Sequence, residues 1–300
     1  MRILVIGATG MLGHKLYQRL SGRFDVFGSI RGIFVSVERF GIFDRNTLIE
    51  NVDGTNEQAL KECVEWARPD CVINAAGVIK QVNAAAGTLQ NLLINSVLPH
   101  RLACLSQEYD FRLITIGTDC VFRGKQGNYS EKDPPDARDV YGMTKLLGEV
   151  TKGNALTIRT SIIGRELASQ HSLVEWFLSN REGRVKGYVN AIYSGFPTVV
   201  LADIIGDLIE HHPDLRGLYH VSSEPISKYD LLQLVNRHYR ANVEIEPYED
   251  YTIDRSLDSS DFRRAAASFS QADWDEMITQ MAADPTPYDR WQPQMQKPAR

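Results

Sequence analysis

Short apolar runs alternate with longer amphipathic stretches along the first half of the chain. Residues 2–7 (RILVIG) form a nearly continuous apolar run, as expected for a strand buried on both faces. Residues 11–21 place Leu12, Leu16 and Leu20 on one stripe of a helix. The same alternation predicts strands over 24–29, 48–53, 71–77, 112–118 and 155–164, and helices over 56–67, 89–108 and 139–149. We therefore predict an α/β fold, a Rossmann-like doubly wound parallel sheet with helices on both faces.

Beyond residue 164 the alternation becomes less regular. A strand is still predicted over 217–223, and helices over 227–239 and near 271–283. No internal repeat or low-complexity linker divides the chain. We expect residues 1–164 to form the Rossmann domain, residues 193–222 to return to it, and residues 165–300 to form mainly a smaller C-terminal lobe.

Composition and charge narrow the class of protein. The 300 residues are 43% hydrophobic and 24% charged, which is typical of a globular protein. A net charge of -5 leaves no basic footprint, so we predict no nucleic-acid partner. No apolar run is long enough to span a membrane, and the start of the chain lacks the pattern of a secretory signal, so we expect a cytoplasmic protein with no membrane partner. The four cysteines make no CxxC pair and the seven histidines no ligand pattern, so neither a disulfide framework nor a metal site is predicted.

Residues 7–13 (GATGMLG) place three glycines between the first strand and the first helix. In such a loop the backbone N–H groups and the helix N-terminus can hold a pyrophosphate, because no Cβ stands in the way. The position inside a βαβ unit favours dinucleotide binding over a tight turn without a ligand. The residues predicted to contact the cofactor here are Gly7, Thr9, Gly10, Met11, Leu12 and Gly13.

The end of the second strand indicates which dinucleotide binds. An acidic residue there would accept hydrogen bonds from a ribose 2′-OH, but this chain has Ser29 and Arg31, with no carboxylate before Glu38. A hydroxyl and a guanidinium suit a phosphate, so NADP is predicted in preference to NAD. NAD stays an alternative, because Arg31 is either a phosphate ligand or a solvated loop residue.

Four motifs together carry a resemblance to a known family. The glycine loop is followed by NAAG at 74–77, by Thr118 after the fifth strand, and by Tyr141 and Lys145 four residues apart on a helix. In this order they resemble the extended short-chain dehydrogenase/reductases over nearly the whole chain. Residues 117–149 (GTDCVFRGKQGNYSEKDPPDARDVYGMTKLLGE), 155–161 (ALTIRTS) and 195–204 (GFPTVVLADI) are most similar to the dTDP-4-dehydrorhamnose reductase family and related sugar-nucleotide reductases.

The resemblance implies a catalytic trio of Thr118, Tyr141 and Lys145. Tyr141 would protonate the developing alkoxide, and Thr118 would hydrogen-bond the substrate carbonyl oxygen. A free tyrosine has a pKa of about 10. A nearby ammonium favours the phenolate, so we expect Lys145 to lower the pKa of Tyr141 and also to hold the nicotinamide ribose.

Further contacts follow from the same resemblance. Cofactor contacts are implied for Asp53 after the third strand, for Ala75, Ala76 and Gly77 after the fourth, and for Tyr141 and Lys145. Asn95 falls where the superfamily often carries a helix asparagine, and is either functional or a polar residue that kinks or caps the helix. The residues implied to meet the substrate are Lys80, Gln81, Thr118, Asp119 and Arg255.

The chain also departs from its relatives in ways that bear on the reaction. Dehydratases of the superfamily carry an Asp-Glu pair after the threonine, but here Asp119 is followed by Cys120, so dehydration is disfavoured. We interpret Cys120 as a packing residue, because no histidine lies nearby in sequence to activate it.

The leading hypothesis is NADPH-dependent reduction of the 4-keto group of a nucleotide-diphosphate 6-deoxy-4-hexulose, in surface polysaccharide or deoxysugar biosynthesis. The alternatives are a sugar-nucleotide 4-epimerase with tightly bound NAD and a non-catalytic NADP-binding regulatory subunit. Whether the protein forms a homodimer is left open.

Overall fold

The computed structural model describes residues 1–78, 83–266 and 272–291. The strands are β1 (Arg2–Ile6), β2 (Asp25–Ser29), β3 (Leu48–Ile49), β4 (Cys71–Asn74), β5 (Arg112–Ile116), β6 (Ala155–Arg159), β7 (Ile162–Ile163), β8 (Arg184–Tyr188), β9 (Ala191–Tyr193), β10 (Phe196–Pro197), β11 (Gly217–His220), β12 (Ile226–Ser227), β13 (Glu244–Tyr248) and β14 (Ile253–Asp254). The helices are α1 (Gly13–Leu20), α2 (Glu57–Ala67), α3 (Asn83–Asn91), α4 (Leu98–Tyr109), α5 (Val140–Leu147), α6 (Leu173–Ser179), α7 (Thr198–His211), α8 (Lys228–Tyr239), α9 (Ser260–Ala265), α10 (Trp274–Ala282) and α11 (Tyr288–Trp291). A π-helical turn, Leu92–Val97, joins α3 to α4.

Seven strands form one parallel sheet in the order β11-β6-β5-β4-β1-β2-β3. The chain moves outward from β1 to β3 and then crosses back to β4, so the direction of winding reverses between β1 and β4. This confirms the predicted doubly wound α/β fold. At such a reversal the loops leave the carboxyl ends of the two strands in opposite directions and open a crevice.

The two faces of the sheet bury separate apolar clusters. Alternate residues of β1 divide between them: Ile3 and Val5 pack on one side, and Leu4 and Ile6 on the other. Helix α1 lies on the first side next to α7, where Arg19 pairs with Asp203 through Nε and Oδ1 at 2.9 Å. The cluster on this side continues into the C-terminal part of the chain, so the two parts share apolar packing.

The predicted strands occur, but several are shorter than the apolar runs indicated. Strand β3 covers two residues rather than 48–53, since Asn51 takes a left-handed conformation with φ of 58° and ends the extended segment. The predicted strand over 155–164 divides into β6, which stays in the main sheet, and β7, which pairs with β10. Within the described ranges, no helix has the length and apolar character needed to cross a membrane.

The C-terminal part contains small sheets that the sequence did not predict. These sheets have the strand orders β12-β9-β14, β13-β8 and β10-β7. Their strands have two to five residues and pair with segments far away in the chain, for example Glu244 with Arg184. Strand β11 lies elsewhere, at the edge of the main sheet beside β6.

Candidate active site

The loop between β1 and α1 is shaped by its glycines. Gly7 has a φ of +82°, in the left-handed region, and a Cβ at this position would lie 3.1 Å from the Cα of Ala76. A Cβ on Gly13 would overlap the carbonyl oxygen of Gly7, which accepts a hydrogen bond from the N–H of Gly10 at 3.0 Å. The loop is therefore a tight turn pressed against the end of β4.

The remaining loop residues present mainly backbone to the crevice. Thr9 and Gly10 are exposed, Met11 is half-buried, and the side chain of Leu12 is buried in the core. The groups available to a pyrophosphate are thus the backbone N–H groups at the start of α1 and the Thr9 hydroxyl.

Ser29 and Arg31 take different positions at the end of β2. Ser29 is buried, and its Oγ lies 3.3 Å from the N–H of Gly7, which donates to it. Its hydroxyl oxygen therefore supports the glycine loop, a contact that the sequence did not predict. Arg31 is exposed at the same edge and is free to meet a charged ligand through its guanidinium.

Asp53 lies at the neighbouring edge, after β3. Its Oδ1 accepts hydrogen bonds from the N–H and the Oγ1 of Thr55 at 2.8 and 2.9 Å. These bonds, with a smaller contribution from the charge of Arg31, lower the pKa of the Asp53 carboxyl. The adjacent Gly54 is buried, and a Cβ there would lie 3.0 Å from Leu98, so this packing disfavours a bulky residue.

Asn95 organises the segment that follows β4. It lies buried in the π-helical turn, where its Oδ1 accepts from the N–H of Val78 at 2.9 Å and its Nδ2 donates to the Val78 carbonyl at 3.1 Å. The segment Ala75–Gly77 is thereby held beside the glycine loop, with Ala75 and Ala76 half-buried and Gly77 exposed. The Nδ2 atom of Asn95 also lies 3.3 Å from Thr144 Oγ1, and this contact connects the segment to α5.

Helix α5 docks its N-terminus on the turn that follows β5. Asp139 caps the helix by accepting from the N–H of Gly142 at 2.9 Å. A Cβ on Gly142 would overlap the carbonyl oxygen of Cys120, so close approach of α5 to this turn requires glycine at position 142. This contact places Tyr141 beside Thr118.

Thr118 and Tyr141 meet at the carboxyl end of β5. The buried Thr118 hydroxyl donates to Asp119 Oδ1 at 3.3 Å and accepts from the N–H of Cys120 at 3.2 Å. The same hydroxyl acts on the phenol of Tyr141 and tends to lower its pKa, so the two groups lie near each other. The structure therefore brings together the hydroxyl pair that the sequence predicted.

The pKa of Tyr141 is shifted in the opposite direction from our expectation. Burial raises the pKa of this phenol above its usual value, Cys120 adds to the rise, and the Thr118 hydroxyl only partly opposes it. The predicted lowering by Lys145 was wrong, because the main contributions to the pKa of this phenol do not include that ammonium and desolvation of the phenolate dominates. Tyr141 is a neutral phenol at physiological pH.

Lys145 points its ammonium between β5 and the segment after β4. Its Nζ donates to the carbonyl of Ile116 at 2.6 Å and lies 4.0 Å from the position that a Cβ would take on Gly77. Burial lowers the pKa of this ammonium to about 8, and the negative charge of Glu149 opposes that shift. Lys145 thus remains mainly charged at neutral pH and lies close to the predicted dinucleotide segment.

Asp119, next to Thr118 on the turn after β5, lies near two cations. Asp119 is buried, and burial raises the pKa of its carboxyl while the charges of Arg255 and Lys228 oppose the rise. Arg255 follows β14 and donates from Nε to the carbonyl of Phe122 at 2.8 Å. Burial is the main reason that the pKa of the Cys120 thiol rises to about 12. The thiol therefore stays protonated, which agrees with a packing role.

Lys228 was missed from the sequence. It is the first residue of α8, and burial lowers the pKa of its ammonium while Asp119 opposes the shift. A cation in the first turn opposes the helix dipole, and this local anomaly was the available signal. Lys80 and Gln81, which we expected to meet the substrate, lie outside the described residues.

Comparisons with known proteins agree with this geometry. A family model described as "RmlD substrate binding domain" matches residues 1–285. The spore coat polysaccharide biosynthesis protein SpsK of Bacillus subtilis is 28% identical over 236 residues, covering 76% of this chain and 75% of SpsK. Methionine adenosyltransferase 2 subunit beta of Danio rerio is 27% identical over 248 residues, and the match covers 77% of this chain and 71% of the Danio rerio protein.

Solved structures show the same fold. A hypothetical dTDP-4-dehydrorhamnose reductase from Sulfolobus tokodaii has a TM-score of 0.75 and 27% identity, covering 92% of this chain and 98% of its own. A dTDP-4-dehydrorhamnose reductase from Bacillus anthracis, solved in complex with NADP, has a TM-score of 0.75 and 23% identity, covering 93% and 98% of the two chains. The match over residues 1–285, together with the motifs and fold above, shows that this chain belongs to the RmlD substrate binding domain family.

Proposed function

We propose that the protein is an NADPH-dependent oxidoreductase that reduces the 4-keto group of a nucleotide-diphosphate 6-deoxy-4-hexulose. The observation that carries this proposal is that α5 brings Tyr141 near the Thr118 hydroxyl and the Lys145 ammonium near Gly77. A proton donor, a carbonyl-binding hydroxyl and a cation at the dinucleotide crevice are the groups that carbonyl reduction requires.

The residues that would hold NADPH are the backbone of the glycine loop, Arg31 at the 2′-phosphate, and the segment Ala75–Gly77. The left-handed Gly7, with no space for a Cβ, and the outward-facing loop backbone fit a pyrophosphate. The chemistry that NADPH supplies when bound is hydride transfer. NAD remains an alternative cofactor, since a single exposed arginine separates the two assignments.

The residues of the chain itself provide the proton and the orientation. The Thr118 hydroxyl positions the carbonyl oxygen next to the phenol of Tyr141, and Tyr141 donates its proton as negative charge develops on that oxygen. The raised pKa of Tyr141 suits this direction of reaction, because a proton donor must be protonated at working pH. Lys145, four residues after Tyr141 on the same face of α5, contributes a positive charge on the side of the dinucleotide segment.

The C-terminal lobe, mainly residues 165–300, would bind the nucleotide diphosphate. Arg255 and Lys228 approach the catalytic turn from this part of the chain, and both act electrostatically on Asp119. Two cations at a partly enclosed wall suit the two phosphates of a sugar nucleotide. The similarity to SpsK supports a role in the synthesis of a surface polysaccharide.

The second candidate is a non-catalytic regulatory subunit. The similarity to methionine adenosyltransferase 2 subunit beta favours it specifically. The trio of Thr118, Tyr141 and Lys145 favours catalysis instead. A 4-epimerase with tightly bound NAD is a weaker alternative, because no acidic residue stands at the end of β2 to accept the ribose 2′-OH.

The test is consumption of NADPH, followed at about 340 nm, with a panel of nucleotide-linked 4-keto sugars. Turnover with at least one of them, and none with simple ketones, supports the proposal. NADPH binding with no turnover of any of these substrates would favour the regulatory subunit. Stoichiometric NAD in the purified protein would favour the epimerase.

A further inference from the structure

The segment from Asp284 to Trp291, here called the C-terminal brace, packs against α1, the helix that follows the glycine loop. Lys15 and Asp284 form an ion pair whose side chains are 3% and 10% exposed. The Lys15 ammonium also donates to Thr286 Oγ1 at 2.8 Å. The C-terminal brace is therefore attached to α1 by groups that are shielded from water.

The brace reaches the glycine loop itself through His14. This histidine is fully buried; its Nδ1 lies 2.8 Å from the carbonyl oxygen of Gly10, and its Nε2 lies 2.8 Å from the hydroxyl of Tyr288. A carbonyl oxygen can only accept, so Nδ1 carries the hydrogen and Nε2 accepts from Tyr288. Burial lowers the pKa of His14 to about 4, so the ring is neutral and this assignment holds at physiological pH.

The bond to Gly10 constrains the group that faces a phosphate. The peptide unit between Gly10 and Met11 is planar and trans, so the Gly10 carbonyl and the Met11 N–H point in opposite directions. Holding the carbonyl toward His14 therefore keeps the Met11 N–H directed out of the helix, toward the open side of the loop. The N–H of His14 bonds the same carbonyl at 3.1 Å, and the ring strengthens this constraint.

The brace is anchored independently of α1, which makes it rigid enough to act on the loop. Arg165 pairs with Asp289 at 2.5 Å and with the buried Glu175 at 2.7 Å, and its guanidinium lies 4.9 Å from the centre of the Tyr288 ring. Trp291 packs edge-on against Phe40, with ring centroids 5.1 Å apart. Tyr288 is thus held from the C-terminal lobe and cannot simply follow the loop.

We propose that Tyr288 and His14 are positioning residues for the dinucleotide, and that the C-terminal brace sets the affinity of the glycine loop for its pyrophosphate. The inference rests on the proposed cofactor and is independent of the sugar substrate. It assigns the last described segment of the chain a part in cofactor binding without any direct contact with the cofactor.

The test is the Kd for NADPH of the full chain, measured by fluorescence without a sugar nucleotide, in Tyr288→Phe and in Tyr239→Phe. Tyr239 is the matched control, because its hydroxyl donates to the carbonyl of Met281 at 3.1 Å and its ring lies 5.8 Å from Arg165, but it makes no contact with His14. We expect Tyr288→Phe to raise the Kd roughly 2- to 10-fold, the range of one neutral hydrogen bond, and Tyr239→Phe to leave it unchanged. Equal Kd values for the two variants, even with a lower Tm for Tyr288→Phe, would overturn the proposal.

A double-mutant cycle separates positioning from simple loss of packing. His14→Asn keeps an amide nitrogen near the position of Nδ1, and so keeps the bond to Gly10, but it loses the contact with Tyr288. If the hydroxyl acts through the ring, the double variant binds NADPH no more weakly than the weaker single variant. If the fold-increases in Kd of the two single variants multiply in the double variant, Tyr288 does not act through His14. Absence of NADPH binding in the unaltered protein would contradict the cofactor assignment itself, which is a different and distinguishable failure.

Discussion

The phenol of Tyr141 owes its state to burial more than to any charge. Desolvation disfavours the phenolate, and the Thr118 hydroxyl does not compensate for it. The residue is therefore poised as a proton donor, which is the role that reduction requires. The reverse reaction, oxidation of an alcohol, would need the phenolate and would be disfavoured at neutral pH.

Tyr141→Phe tests this assignment directly. The substitution removes one hydroxyl and little volume, so the fold and the NADPH Kd should change little. We expect kcat to fall by roughly a hundred- to ten-thousand-fold, as for the loss of a positioned general acid. Steady-state kinetics with the best substrate of the panel provide the measurement, and near-normal kcat would remove Tyr141 from the mechanism.

The lowered pKa of Lys145 predicts a pH limit. Since that pKa is about 8 rather than the ordinary value of 10.5, the ammonium is present at pH 7 and is lost as the pH rises through about 8. The value of kcat/KM for NADPH, which reports ionisations of the free enzyme, should therefore fall above about pH 8.

Lys145→Arg provides the control for this limit. A guanidinium stays charged throughout the range, so the variant should lose the decline above about pH 8 even if its activity is lower at every pH. A profile of the unaltered enzyme that stays flat to about pH 10 would show that the charge of Lys145 is dispensable.

Arg31 should distinguish the two dinucleotides. With Ser29 committed to the glycine loop, the exposed guanidinium is the group left to meet a 2′-phosphate at this edge. Arg31→Ala should weaken NADPH binding roughly 10- to 150-fold, corresponding to roughly 1.5–3 kcal/mol for a charge-assisted hydrogen bond, and leave NADH binding nearly unchanged. Equal losses for both cofactors in titrations would assign Arg31 to the fold or to the shared pyrophosphate.

At the scale of elements, the position of α5 depends on one missing side chain. The helix can place Tyr141 against Thr118 because Gly142 lets the carbonyl of Cys120 approach its backbone. Asp139 fixes the start of the helix through its cap. The sequence shows a helix with Tyr141 and Lys145 on one face, and the contact at Gly142 decides what that face meets.

Gly142→Ala should therefore damage both stability and activity. The new Cβ would overlap backbone that cannot rotate away, and overpacking of this kind costs about 1–3 kcal/mol. Gly22→Ala is the matched control, because a Cβ at Gly22 would have no atom within 4 Å beyond its own residue and its chain neighbours. Denaturant unfolding and kcat are the measurements, and equal free energies of unfolding for the two variants would refute the contact as described.

At the scale of the whole molecule, the candidate site is completed from two distant parts of the chain. The glycine loop, the catalytic trio and Asp119 come from residues before 150, whereas Lys228 and Arg255 follow short strands of the C-terminal part. The apolar cluster shared by α1, α7 and the C-terminal helices holds these parts together. Substrate binding should therefore depend on residues that are remote in sequence from the chemistry.

Arg255→Ala and Lys228→Ala test that dependence. Each should raise the KM for the sugar nucleotide roughly tenfold or more, as expected for the loss of a charge-assisted hydrogen bond, and leave the KM for NADPH unchanged. Lys152→Ala is the control. Lys152 is exposed and precedes β6, so it lies at the amino-terminal ends of the strands, away from the site at their carboxyl ends. An unchanged KM for the sugar nucleotide in both variants would place the diphosphate elsewhere.

Much of the fold could be predicted because its signals are local. The apolar run of β1, the stripe of α1 and the glycines of the loop each determine a conformation through neighbouring residues, and the alternation of strands with helices implies a parallel sheet. The pairing of Tyr141 with Lys145 was visible for the same reason, since residues four apart share a helical face. The short strands of the C-terminal part left no such signal, because their stability comes from partners as distant as Glu244 and Arg184.

By itself, then, the sequence determined the Rossmann sheet, the phosphate-binding loop and the identity of the hydroxyls and the ammonium at its edge. Only the tertiary structure decided that Ser29 supports the loop, that Lys228 faces Asp119, and that Tyr141 is held neutral. The physical reason is that burial and long-range electrostatics depend on which surfaces meet across the fold. Helical spacing puts an ammonium near a phenol, but the depth of the crevice sets the pKa of both.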